Sequence, residues 1–312
     1  RRFGKTLNMT TLKYFFDVRN AEENRKLFKD LYIKKSEYFK EQGQYPTIFI
    51  TLKDTKKNNW EECYSKIKII LRDLYEEHSY IKDKLSINEK EEYDKILFKK
   101  DDAEYDNALL NLTKYLYNYY QKKVVLLIDE YDSPLITANQ FGYYKEAINF
   151  FRDFLSSALK TNSNLKMGVL TGIVQVAKEG IFSGLNNVKT YNILGDKFEI
   201  FFGLSEEEVE EALKYFEMTY EIEEVKRWYD GYKFGNSEVY NPWSIVNYLS
   251  DRGLQAYWVN TSDNALIYDN LKNSTVDVFK DLEALFEGKA IKKEISPFFT
   301  FEELSKFDGI WQ

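Results

Sequence analysis

Apolar residues recur along this chain in two rhythms, one helical and one of short unbroken runs. After Lys5, Met9, Leu12 and Phe16 fall on one stripe with good helix formers such as Leu7 and Lys13 between them, which predicts an amphipathic helix. A charged stretch that reads as helical follows, and residues 46–52 (PTIFITL) form a β-rich run that predicts a strand. Helical spacing returns with Trp60, Tyr64, Ile67, Leu71 and Leu74, and Ser86 with Glu89 makes a capping-box start for the next helix. Leu109, Leu112 and Leu116 carry the pattern onward. Val124, Val125, Leu126, Leu127 and Ile128 are then an unbroken aliphatic run, as a strand buried on both faces of a parallel sheet requires, with Asp129 and Glu130 where the run ends. Residues 150–159 read as the next helix, 165–173 (LKMGVLTGI) as another strand closing on Thr171-Gly172, and 190–194 (TYNIL) as a fifth strand. From Gly203 the β signal largely stops: Ser205 with Glu208 opens a capped helix to Phe216, and the chain reads as mainly helical to about residue 260. Alternating strands and helices predict an α/β fold.

Composition narrows the function classes. The 312 residues are enough for two domains, and 44% apolar with 17% aromatic side chains fill a sizeable core. A formal net charge of −7 gives no global electrostatic case for nucleic-acid binding. With one cysteine, Cys63, and one histidine, His78, neither an intramolecular disulfide nor a zinc site of Cys and His ligands is available. No apolar run approaches a membrane span, and the expected compartment is the cytoplasm.

Two segments carry the candidate chemistry, RRFGKT at residues 1–6 and VVLLIDEYD at 124–132. Gly4-Lys5-Thr6 is the closing triplet of a phosphate loop, in which backbone amides cradle phosphates, the Lys reaches the β and γ oxygens and the hydroxyl ligates magnesium. The helix predicted next presents its N-terminal donors to those phosphates. The acidic strand supplies the carboxylate such a metal needs, at the strand end where open α/β sheets bind ligands. Lys5 and Asp129 are 124 residues apart, and the helices between account for the distance. In the G-x-x-x-x-G-K-[ST] pattern the first Gly would lie five residues before Gly4, so the expectation is a fragment that opens inside its own loop. Thr171, a hydroxyl ending a third buried strand, fits a polar residue reaching toward the attacking water, with a plain Thr-Gly turn as the other reading.

The order of RRFGKT, IDEYDSPL, VLTGI with AKEGIFSGLNN, FFGLSEEEV, and WYDGYKFG with VYNPWSI resembles the bacterial and archaeal AAA-ATPase-like family, over most of residues 1–250. Members commonly end in a restriction-endonuclease-like nuclease domain; FDGIWQ looks like the point just before it, and no nuclease motif stands in this chain. The resemblance implies a P-loop NTPase of the additional-strand, catalytic-Glu (ASCE) class, with sheet order 5-1-4-3-2 whose strand 1 lies upstream, followed by a helical lid. It divides the chain into a P-loop ATPase core at 1–202, a lid at 203–260 and a helical linker at 261–312. The cofactors implied are ATP and Mg2+. Carried over by residue, Arg2, Phe3, Gly4, Lys5, Thr6 and Leu7 would bind nucleotide, with Lys5 neutralising the β and γ phosphates. Thr6 would hold magnesium and Asp129 would bind it through water. Glu130 would polarise the attacking water, and Thr171 resembles the polar sensor of the γ-phosphate. The family's loop has arginines and a proline where ordinary P-loops have glycines, so Arg1 and Arg2 are expected to supply charge.

Other residues keep two readings each. Asp132 either caps the helix after Pro134 or makes an outer contact to the metal, and Lys178 either contacts the γ-phosphate or is an exposed loop lysine. Arg152 is read as a helix-surface residue, with an arginine finger in an oligomer as the alternative. WYDGYKFG is read as a Gly-bearing structural turn, with base stacking as the alternative. The leading functional expectation is a Mg-dependent ATPase whose cycle controls an attached effector. A nucleotide-gated switch with negligible hydrolysis and a protein partner is the second, and a nucleic-acid-binding module with a vestigial site the third. Expected partners are ATP, nucleic acid through the nuclease-like domain, and a second copy or another protein, with no membrane.

Overall fold

Val124–Asp129 is buried along its whole length, and the fold of its surroundings follows from that strand. A computed structural model describes residues 2–173, 188–218, 222–259, 267, 271–272, 274–293 and 309–311. Arg1, Lys178 and, in FDGIWQ, Phe307, Asp308 and Gln312 lie outside the described residues. The chain divides into two compact units, Met9–Val188 with Leu266–Gln312, called the sheet unit below, and Arg1–Asn8 with Lys189–Ala265, called the hairpin unit.

In the sheet unit, β1 (Thr47–Thr51), β2 (Val124–Asp129) and β3 (Leu165–Thr171) run parallel in the order β1-β2-β3. Alternation sends the strands' side chains to two faces. Ile48, Ile50, Leu126 and Ile128 face a large core built from α3 (Trp60–Glu77), α4 (Ile87–Leu97), α5 (Ala108–Tyr120), α6 (Ser133–Phe141) and α7 (Tyr144–Leu159). Val125 and Leu127 face the other way and meet Met9, Leu12 and Phe16 of α1 (Lys5–Phe16), the stripe the sequence predicts. Each such aliphatic side chain contributes about 1.5–3 kcal/mol by leaving water. Helices therefore cover both faces, as a parallel sheet needs. The Tyr45 N–H donates to Phe16 O (2.9 Å) and the Val18 N–H to Tyr45 O (2.9 Å), so α1 ends beside the entry to β1 and runs against the strand direction.

Local signals explain most of these elements. Asn59 accepts from the Glu62 N–H (2.9 Å) to start α3, and both bonds of the Ser86–Glu89 capping box form at α4. The charged stretch after α1 departs from expectation: it holds only α2 (Ala21–Arg25) and short 3-10 turns. Tertiary contact overrides helix propensity there, because Phe28 and Phe39 close on Phe15 with ring centroids 5.3 and 6.3 Å apart. The returning chain passes so close that a Cβ on Gly43 would lie 2.4 Å from that of Ala21. The expected five-strand order has no full counterpart, since the described parallel sheet has three strands; their adjacency is compatible with the 4-3-2 part of that order.

The hairpin unit contains α8 (Glu206–Tyr215), opened by the Ser205–Glu208 capping box, α9 (Ile222–Tyr229), an antiparallel pair β4 (Tyr232–Phe234) and β5 (Ser237–Val239), and α10 (Pro242–Asp251). Val209, Leu213, Val225, Tyr229, Tyr240, Ile245 and Tyr248 make its core. The strand expected at residues 190–194 is not formed. Its backbone bonds to the hairpin turn instead, the Gly235 N–H donating to Ile193 O (2.8 Å); a few residues on, the Glu199 side chain accepts from the Asn236 N–H (2.7 Å). Residues 189–202 thus group with the hairpin, whereas the sequence expectation carries the core to 202. Among the described residues no helix is long and apolar enough to cross a membrane.

Candidate functional site

The predicted residues fall into two sets, one in each unit. In the sheet unit, Thr51, Asp129 and Thr171 are paired in register across the three strands, so a hydroxyl, a carboxylate and a hydroxyl form one row on the face that α1 covers. Asp129 is 1% exposed. Its carbonyl accepts from the Leu52 N–H (3.0 Å), and the Tyr131 N–H donates to Thr171 O (3.2 Å), so the flanking strands fix the strand end from both sides.

The next residue leaves the sheet. Glu130 has φ 51°, the left-handed region that a non-glycine residue adopts at a cost of about 1 kcal/mol or more. The turn half-exposes its side chain, and Glu130 Oε2 accepts from Ser133 Oγ (2.9 Å). Asp132 occupies the N-cap position of α6 without a side-chain cap bond. Its buried carboxylate instead accepts from the Ile173 N–H at 2.6 Å, bracing the chain just past Thr171. The expected capping role is corrected by that contact: the carboxylate is committed to the backbone amide of Ile173 across the sheet and not to an amide of the helix it precedes. Arg152 lies on the exposed face of α7 beside Asn149 and Asp153, as its helix-surface reading has it.

In the hairpin unit, Gly4 turns with φ 76° and α1 begins at Lys5. The intrahelical ladder starts with the Asn8 N–H donating to Gly4 O (2.8 Å), so the amides of Lys5, Thr6 and Leu7 precede it, the geometry that receives anions at helix N-termini. Lys5 is half-buried, and Arg2, Thr6 and Leu7 are exposed. Phe3 is not: its ring is committed to a buried cluster with Phe234 and Val239, so only its backbone is offered to a ligand.

Among the described residues no group of three or more His, Cys, Asp or Glu side chains stands together as a metal site. The oxygen donors present fit magnesium in the way it is usually held, through one carboxylate, hydroxyls, water and substrate phosphates. In the sheet unit Asp129 supplies the carboxylate, and Thr51 and Thr171, in register with it, carry hydroxyls of the required type; in the hairpin unit Thr6 carries another. Sequence reasoning missed Thr51, although it closes an apolar run just as Asp129 does, and Ser133, which no pattern marks.

A family model described as "Predicted AAA-ATPase" matches residues 1–182. The chain belongs to that family. Membership implies nucleotide binding, and the matched span contains both residue sets up to Thr171. A relative from Azotobacter chroococcum mcd 1, "Uncharacterized protein in vnfD 5'region", is 25% identical over 151 residues, covering 48% of this AAA-ATPase-like chain and 29% of that protein. No solved structure matches.

Proposed function

We propose that this chain is a Mg-dependent ATPase whose nucleotide cycle controls an attached effector domain, nuclease-like in the whole protein. The observation that supports it most is the in-register row Thr51–Asp129–Thr171 at the end of a fully buried strand, followed at once by a carboxylate turned out of the sheet. In this reading the Lys5 ammonium and the amides of the first turn of α1 hold the β and γ phosphates. Thr6 and, through water, Asp129 hold Mg2+, which supplies charge neutralisation at those phosphates. Glu130 polarises the attacking water, whose oxygen bonds to the γ-phosphorus as the bond to the β-phosphate oxygen breaks; ADP leaves, and the water's proton passes by way of Glu130 to the released phosphate or to solvent, while Thr171 orients the γ-phosphate. The test is ATP hydrolysis with Mg2+ beside Lys5→Ala and Glu130→Gln. Both variants lose turnover, while Glu130→Gln still binds ATP; turnover that survives Glu130→Gln refutes the assignment.

A second reading, a nucleotide-gated switch that scarcely hydrolyses, is favoured by one contact: Ser133 Oγ holds Glu130 Oε2 at 2.9 Å, engaging one oxygen of the carboxylate the reaction needs. Under the ATPase reading Ser133→Ala leaves turnover within a few-fold of the parent or raises it. Under the switch reading the parent binds ATP without turnover. A steep salt dependence of DNA binding by this acidic chain would instead point to a nucleic-acid module.

A further inference from the structure

The residues that lead into the phosphate turn are held by side chains more than 200 positions away in sequence. Phe3 is 9% exposed. Its ring meets Tyr232 edge-on at 4.9 Å between centroids (76°) and Phe234 at 4.9 Å (51°), with Val239 completing the cluster. Gly203 forms its floor, where a Cβ would lie 3.4 Å from Phe3 Cδ1 and 3.1 Å from Val239 Cβ. The Leu204 N–H donates to Tyr240 O (3.1 Å) and the Tyr240 N–H to Leu204 O (2.8 Å), which fixes that floor to the end of the hairpin.

One residue earlier, the Arg2 guanidinium carbon lies 4.0 Å from the centre of the Trp243 ring. Trp243 is anchored at both ends: its N–H donates to Asn241 Oδ1 (3.0 Å), and its indole N–H to Tyr257 O (3.1 Å). Arg2 itself has φ 70°, a conformation an arginine adopts only when its surroundings impose it. Stacking over the indole is an attraction that works against that strain and holds the guanidinium in place. Arg2, Phe3 and Gly4 are thus fixed in succession immediately before Lys5 and Thr6, with no catalytic group involved.

We propose that Phe3 and Arg2 are positioning residues for the Gly4-Lys5-Thr6 turn, and that the β4–β5 hairpin with Trp243 is its holder, so that the chain's C-terminal half sets its affinity for a nucleoside triphosphate. This rests on the nucleotide reading given above. The physical reason is preorganisation: amides and an ammonium already in place bind phosphate without first losing backbone freedom.

The test uses the full-length protein and two readouts, Mg-ATP affinity by calorimetry and trypsin cleavage after Arg2 and Lys5 without nucleotide. Phe3→Ala weakens Mg-ATP at least about 10-fold, and Tyr232→Ala, at a partly exposed position that does not threaten folding, weakens it about 3- to 10-fold. Both variants speed cleavage, and Tyr232→Phe, which keeps the ring contact, restores both readouts. A role in stability alone would instead lower the melting temperature and leave the affinity of the folded fraction unchanged. Cleavage no faster in Phe3→Ala and Tyr232→Ala overturns the proposal, as does parent-like Mg-ATP affinity in both. If the parent binds no Mg-ATP, the nucleotide reading fails, and cleavage alone decides whether the hairpin holds the turn.

Discussion

Gly172→Ala tests the brace that fixes the chain beyond Thr171. A Cβ at that position would lie 2.7 Å from both Cγ and Oδ1 of Asp132 and 2.9 Å from Oδ2. Ordinary contact begins near 3.4 Å, so the carboxylate must retreat by about 0.7 Å, inside a packed interior that yields little. Asp132 is fully buried, and a shift of that size along its bond to the Ile173 N–H takes 2.6 Å to about 3.3 Å, where little of the bond remains. A charge-assisted hydrogen bond is worth about 1.5–3 kcal/mol and overpacking costs about 1–3, so the substitution destabilises the sheet unit by about 3 kcal/mol. Cys63 provides the assay, since it is the chain's single cysteine and is buried in the core of that unit. Thiol labelling against urea gives a midpoint for the parent, for Gly172→Ala, for Asp132→Ala and for the double variant. With the carboxylate gone, the alanine methyl has room, and the cycle shows a coupling of at least about 1.5 kcal/mol. A coupling below about 0.5 kcal/mol refutes the brace.

Three further outcomes follow from buried groups. Burial pushes the Cys63 thiol up to about 11, so at pH 8 its labelling in the folded protein is on the order of 100-fold slower than in urea; equal rates would show an open core. Burial, and secondarily the Arg19 charge, lowers the His78 pKa to about 4, so the unfolded chain takes up this proton near 6.5 and the folded chain only near 4. His78 therefore removes up to about 3 kcal/mol of stability as pH falls from 6.5 to 4; His78→Gln flattens that part of the urea-midpoint profile, and an unchanged slope overturns the assignment. Gly43→Ala must place a Cβ at 2.4 Å from Ala21 Cβ with φ 68°, which costs about 2–4 kcal/mol in urea titration, against near neutrality if the segment re-packs.

Legibility in the sequence tracked how local the cause was. The stripe of α1, the run of β2 and the capping boxes of α4 and α8 are decided within a few residues, and each forms where its pattern lies. The stretch after α1 was not legible, because Phe28 and Phe39 are recruited by Phe15 across a turn no local pattern encodes. Residues 190–194 have strand-like composition but give their carbonyl to a glycine 42 positions on, Gly235 bonding Ile193. The same division runs through the candidate site. Asp129 and Thr171 are visible as polar ends of apolar runs, whereas the Asp132–Ile173 bond spans 41 residues and the Phe3 cluster joins residues more than 200 positions apart.

The adjacent acids Asp129 and Glu130 show how backbone geometry assigns different chemistry to like side chains. Continuing β2 by one more extended residue would send Glu130 to the face of Ile128, into the large apolar core, where a lone carboxylate is costly to ionise. The left-handed turn at φ 51° averts this, leaving Asp129 buried in the row with Thr51 and Thr171 while Glu130 stays half-exposed. A buried, fixed carboxylate suits ordering water around a cation; a half-exposed one, held by a single serine hydroxyl, suits exchanging partners during a reaction. Glu130→Gly relieves the backbone strain and removes the carboxylate, so in the proposed ATPase it stabilises the sheet unit slightly, by up to about 1 kcal/mol, while abolishing turnover. Loss of stability in that variant would mean that the Ser133 bond, and not the demands of the reaction, keeps a strained glutamate at this position.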